Sequence, residues 1–269
     1  MNTLSQKTAL TIAGFDPSSG AGITADLQVF AAHGIFGTSA ITALTVQSTV
    51  GVRRVQPVDA SLLQETLATL HDDVPPHGIK IGMLGGLEQV EAVTQYLRSL
   101  EGNGPVVVLD PVIRSSSGAL LLEEAGLHML QAELLPLVDV ITPNVGELLL
   151  LAGISAESDT SIQAEAEKLS AIHDIAVVVT GGDRVKPDDF VFVDGQWTLL
   201  AGEHIATTAT HGTGCAFSSA LLCGMLQGHS VVEAARAAKA YVARAMRTAT
   251  PHGAGKGPMN LLWPVSLQE

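Results

Sequence analysis

The chain of 269 residues is 46% hydrophobic and only 15% charged, which excludes disorder as its main state and suits one large α/β domain spanning residues 1–269. Its 14 Lys and Arg stand against 27 Asp and Glu, and the resulting net charge of −13 argues against a nucleic-acid or anionic-membrane partner. Any phosphate ligand would then be met by local backbone N–H groups or by a metal ion.

Residues 1–8 are polar and the apolar run after them breaks at Gly14, so no signal peptide is expected. No run reaches the ~18 apolar residues of a membrane span. The first strand candidate is Ala9–Ala13. It runs into Gly14-Phe15-Asp16-Pro17-Ser18-Ser19-Gly20-Ala21-Gly22, and a helix candidate over 23–33 follows, with Ile23, Leu27, Phe30 and Ala31 at helical spacing. Small residues in such a turn allow a ligand close to the backbone. The plainer alternative is an ordinary strand–helix turn, with Asp26 favoured by the helix dipole. The spacing fits neither Gly-x-Gly-x-x-Gly nor a Walker loop.

The second strand, Ser39–Val46, leads into Gln47, whose amide can read a heteroaromatic edge or simply be solvated. Helix 60–71, strand Ile79–Met83, helix 88–99 and strand Val106–Asp110 come next. Asp110, at a strand's carboxyl end, is placed to hold a divalent cation or to cap a turn. Helix 123–134 and strand Val138–Thr142 precede Thr142-Pro143-Asn144-Val145-Gly146-Glu147. There Asn144 reads as an N-cap and Glu147 completes a capping box for helix 145–152. Helix 161–172 and strand Ile175–Thr180 follow. Asp194-Gly195 between Phe190–Val193 and Trp197–Leu200 signals a hairpin. Helices over 213–227 and 231–248 complete the pattern. Strands alternating with helices imply a mostly parallel sheet covered on both faces, with ligands beyond the strands' carboxyl ends.

The most informative segment is Thr210-His211-Gly212-Thr213-Gly214-Cys215. Gly-x-Gly at a helix start aims several N–H groups at one point, where the dipole adds positive potential. Such a hole can stabilise a transferred phosphoryl group. A thiol in that first turn should have a lowered pKa, so Cys215 could act as a base. The plainer alternative is a helix start packed closely on the sheet. Cys223 reads as core. Eight residues on one helix separate the two cysteines by about 12 Å, too far for a disulfide, which points to a reduced, cytoplasmic protein. No His or Cys spacing suggests zinc. A thiol hydrolase using Cys215 with His211 lacks an evident third group.

Taken in order, Gly14–Gly22, Asp26, Thr45–Gln47, Lys80-Ile81-Gly82-Met83-Leu84, Asp110-Pro111-Val112, Thr142-Pro143-Asn144 with Glu147, Gly181-Gly182, His211–Cys215 and His252–Pro258 make a specific set. The chain resembles the hydroxymethylpyrimidine/phosphomethylpyrimidine kinases of thiamine biosynthesis, a branch of the ribokinase-like fold, over about residues 8–258. The resemblance implies a three-layer α/β/α sandwich, a homodimer, and phosphoryl transfer from ATP with Mg2+. The pyrimidine would lie near Gly14, Asp26, Gln47, Met83 and Val112. Asp110 and Glu147 would organise the metal, and Asn144, Thr180, Gly181 and Gly182 would approach the ATP phosphates. Gly212, Thr213, Gly214 and Cys215 would form the anion hole and supply the base. The adenine would fall between the Trp197–Ala209 region and the last two helices.

Two departures from the family pattern stand out. Thr180 replaces a usual Lys, and Arg114 stands near the place of another. They suggest specialisation for the already phosphorylated pyrimidine, with Arg114 gripping its phosphate. The alternatives are a pyridoxal/pyridoxine kinase of the same fold and a non-catalytic pyrimidine sensor.

Overall fold

Successive residues of the inner strands face opposite ways and both sets are apolar, so the sheet must be covered twice. The computed structural model, which describes residues 6–100, 104–115, 118–154, 159–182 and 184–265, shows this arrangement. The strands are β1 (Thr8–Phe15), β2 (Phe36–Ser48), β3 (Gly51–Pro57), β4 (Gly78–Ile81), β5 (Val106–Leu109), β6 (Val140–Ile141), β7 (Ala176–Val179), β8 (Asp189–Val193) and β9 (Gln196–Leu200). They form one nine-stranded sheet in the order β3-β2-β1-β4-β5-β6-β7-β8-β9. The six strands from β2 to β7 are parallel; β3 at one edge and β8 at the other run against them, and β9 pairs antiparallel with β8.

The helices are α1 (Gly22–Ala32), α2 (Ala60–Asp73), α3 (Leu87–Ser99), α4 (Glu124–Met129), α5 (Val145–Ala152), α6 (Asp159–His173), α7 (Thr213–Leu226) and α8 (Val231–Arg247). Leu10, Ile12, Ile79, Ile81, Val107, Leu109, Val177 and Val179 pack with α2, α3, α5 and α6 on one face. The residues between them, among them Ala9, Val108, Val140 and Val178, pack with α1, α7 and α8 on the other. This three-layer α/β/α sandwich is the ribokinase-like fold expected above.

Two details differ from the sequence expectation, and a third agrees with it. β3 was not anticipated: Gly51-Val52-Arg53-Arg54-Val55-Gln56-Pro57 buries no residue and carries two arginines, so it has no apolar face. The helix expected over 123–134 is α-helical only to Met129, then widens into a π-turn and tightens into a 3-10 turn containing Pro136. Asp194 and Gly195 both have positive φ, 51° and 71°, as the two-residue hairpin turn requires. Among the described residues no helix is long and apolar enough to cross a membrane.

Candidate active site

The parallel register brings the ends of β1, β4 and β5 side by side, with α1 and α7 starting above them. Gly14, the last residue but one of β1, lies against Met83: a Cβ there would lie 3.1 Å from the Met83 sulfur. Met83, Ala43 and Leu121 form a small apolar cluster that Val112 and Val55 flank. Gly14, Met83 and Val112 are therefore gathered as the sequence suggested. Gln47, half-buried at the end of β2, places its amide 3.0 Å from His211 Nε2, and the same nitrogen lies 2.7 Å from Asp16 Oδ2. The His211 ring is thus engaged by Asp16 and Gln47, while the Cys215 thiol faces Asp110 and the Gly22 amide, so the pair a thiol hydrolase would need is not formed.

α7 starts at Gly212, whose φ of 77° is left-handed, and no side chain caps the start. A Cβ on Gly212 would come 1.9 Å from the Gly20 carbonyl oxygen, so the two Gly-rich turns touch backbone to backbone. Asp110 follows β5, its N–H donating to the Ile81 carbonyl at 2.8 Å. Its carboxylate lies beside α7: a Cβ on Gly214 would sit 3.7 Å from Oδ2, and the Ser218 hydroxyl donates to Oδ2 at 3.3 Å. Burial pushes the Asp110 carboxyl up; Lys80 pulls it down without reversing the shift.

Asp26 does not reach this space. It is fully buried, accepting from Thr11 at 2.6 Å, from Lys80 at 3.0 Å and from Ser219 at 2.8 Å. The expectation that it touches the pyrimidine is corrected, because its carboxylate exposes no surface. Lys80, also fully buried, is a charge beside the site to which the sequence analysis gave no role. Burial disfavours its charge, but Asp26, Cys215 and Asp110 outweigh that and hold the ammonium above its usual range. A lysine inside the apolar run Ile79–Met83 was the signal available.

The expected lowering of the Cys215 pKa is also corrected. Burial pushes the thiol up to about 12; Lys80 draws it down, while Asp110 and Asp26 push it further up. The helix start alone does not make a thiolate here.

On the neighbouring strands, Asn144 caps α5 and Glu147 closes the capping box, its carboxylate accepting from the Asn144 N–H at 2.9 Å. Thr180 bridges to Asn144, so these residues do share one edge of the site. The Gly181 N–H donates to Asp189 Oδ1 at 2.9 Å and is not free for a phosphate, whereas Gly182 is exposed. Lys239 on α8 holds this turn, 2.8 Å from Asp189 and donating to the Pro187 carbonyl at 2.6 Å. Arg114 is exposed, and residues 116 and 117 lie outside the described residues.

With this geometry in place the chain can be compared with known proteins. A family model described as phosphomethylpyrimidine kinase matches residues 16–260. The chain belongs to this family. Phosphomethylpyrimidine kinases are ATP-dependent phosphotransferases. A protein of Haemophilus influenzae named hydroxymethylpyrimidine/phosphomethylpyrimidine kinase is 39% identical over 262 residues, covering 94% of this chain and 96% of its own. The crystal structure of a phosphomethylpyrimidine kinase from Clostridium difficile superposes with a TM-score of 0.78 at 31% identity, covering 89% of this chain and 99% of that one. A pyridoxal kinase of Bacillus subtilis, solved as an ADP complex, superposes at 0.84 with 32% identity, covering 95% and 97%.

Proposed function

We propose that this phosphomethylpyrimidine kinase transfers the terminal phosphoryl of ATP to 4-amino-5-hydroxymethyl-2-methylpyrimidine or its monophosphate, with preference for the monophosphate. The observation that carries this reading is the uncapped start of α7, Gly212–Cys215, beside the buried Asp110 carboxylate and next to the apolar Gly14–Met83–Val112 cluster. The apolar cluster would offer a flat ring a surface to pack on. The α7 amides suit the charge that develops on a moving phosphoryl group. Cys215 would take the acceptor hydroxyl's proton only as a thiolate, which burial disfavours and a cation bound beside it would favour.

The donor set fits Mg2+. Among the described residues no three His, Cys, Asp or Glu side chains gather as a closed metal site, and Mg2+ is ordinarily held by one or two carboxylates plus substrate phosphates and water. Asp110 and Glu147 would be those carboxylates. When bound, the ion would offset the phosphates' charge. Asn144, Thr180 and Gly182 would lie along the nucleotide. The preference for the monophosphate draws on Thr180, which brings no cation to the nucleotide phosphates, and on Arg114, exposed near the site. Leu44, Val46 and Val50, exposed on the β2–β3 hairpin, offer the apolar surface that a homodimer would cover. The reading supposes a cytoplasmic enzyme.

The superposition on a pyridoxal kinase supports pyridoxal as the second acceptor. Assays of the pyrimidine, its monophosphate and pyridoxal, side by side with ATP and Mg2+, test both readings. The monophosphate should be turned over most efficiently. Equal efficiency with the two pyrimidines removes the specialisation, and pyridoxal in first place removes the main assignment.

A further inference from the structure

Asp16 is almost wholly buried after β1. Oδ1 accepts from the Ser18 amide at 2.8 Å and its hydroxyl at 2.7 Å; Oδ2 accepts from the Gly20 and Ala21 amides at 3.2 and 3.0 Å. Burial alone would raise this carboxyl, but His211 and Ser18 outweigh it and hold it below the usual range. An ionised carboxylate offers only lone pairs, so His211 Nε2, 2.7 Å away, carries a proton. The ring cannot turn away freely. Gly20 lies flat against it, where a Cβ would come 2.2 Å from Cδ2, and the His211 amide is tied to the Gly257 carbonyl at 3.1 Å.

The same His211 Nε2 also lies 3.0 Å from the Gln47 amide, so its one hydrogen is shared between Asp16 and Gln47. If the amide nitrogen met it, two N–H groups would oppose each other. Turned by 180°, Gln47 offers Oε1 to His211 and Nε2 to the Thr45 hydroxyl, which lies 3.3 Å from the second amide atom and gives its own hydrogen to the Phe15 carbonyl at 3.0 Å. Every donor then meets an acceptor. One lone pair on Oε1 and one N–H on Nε2 remain for a ligand.

We propose that Asp16 and His211 are positioning residues that lock the Gln47 amide, so that it presents an acceptor on the His211 side and a donor on the Thr45 side. This polarity selects a ring edge that carries an exocyclic amino group beside a ring nitrogen. A ring without the amino group leaves the Oε1 lone pair unmatched in a part-buried site and is disfavoured on binding. The inference rests on the kinase reading of the site and adds how the ring is recognised.

The test compares kcat/KM for 4-amino-5-hydroxymethyl-2-methylpyrimidine with that for the analogue lacking the 4-amino group, using ATP and Mg2+. The unmodified protein should favour the amino compound by about 10–100-fold. In His211→Phe, which keeps a ring but has no proton to give, the preference should shrink to within about threefold, mainly through KM. His211→Gln, whose amide N–H can still meet Asp16, should recover part of it. Should His211→Phe fail to fold, as read by thermal unfolding, Asp16→Asn carries the same comparison. Equal losses on both compounds, or a preference that survives in these variants, overturn the lock. No turnover of either compound by the unmodified protein would instead overturn the kinase reading.

Discussion

α7 and α8 are consecutive, pack against each other, and begin in opposite ways. α8 opens with a capping box: the Ser230 side chain accepts from the Glu233 N–H, and the Glu233 carboxylate accepts from the Ser230 N–H. Its first-turn amides and its dipole are answered from within the helix. α7 opens on a left-handed glycine, with no side-chain cap and no acid in its first turn. Its acidic neighbour, Asp110, comes instead from another strand. A helix start that the chain seals itself serves stability; one left unsealed at the ends of parallel strands is available to an anion.

Four substitutions sharpen or break this contrast. The largest effect is expected for Cys215→Ala, which should lower kcat by about 10²–10⁴-fold, the usual scale for a lost general base. Steady-state turnover near the unmodified rate would place the base elsewhere. Asp110→Asn should raise the Mg2+ concentration for half-maximal rate by about tenfold or more while changing pyrimidine affinity much less. A metal titration beside a pyrimidine titration reads this directly. Gly212→Ala forces a left-handed residue against the Gly20 carbonyl, and should cost about 1–3 kcal/mol in denaturant unfolding together with a fall in kcat/KM. Ser230→Ala, at the sealed start, should cost about 1 kcal/mol of stability and leave kcat intact. If Ser230→Ala reduced turnover as Gly212→Ala does, the two helix starts would not differ in function.

The layers were legible because they follow from local chemistry. The continuous apolar runs Val106–Leu109 and Ala176–Val179, the capping box at Asn144 and the Asp194-Gly195 turn all act within a few residues. β3 escaped notice because an edge strand that buries nothing has no pattern to show. Within the site, the Gly-rich turns were legible but the partners were not. Lys80 meets Asp26 across 54 residues, Ser219 meets Asp26 across 193, and His211 meets Asp16 across 195. No periodicity reports such pairs. The thiol misled for the same reason: its helix position promised a lowered pKa, while burial and the distant carboxylates decide it.

The separation between Asp16 and His211 also has a consequence in time. At ribosomal rates of about 5–20 residues per second, the aspartate is made roughly 10–40 s before the histidine that shields it. Until then the first Gly-rich turn emerges on a nascent chain with only its own amides and the Ser18 hydroxyl to meet its carboxylate. The pocket cannot be finished until Gly257 and Pro258, which fasten His211 from behind, have also been translated. Premature termination even shortly before those residues should therefore yield a chain with most of its sheet and no working pocket.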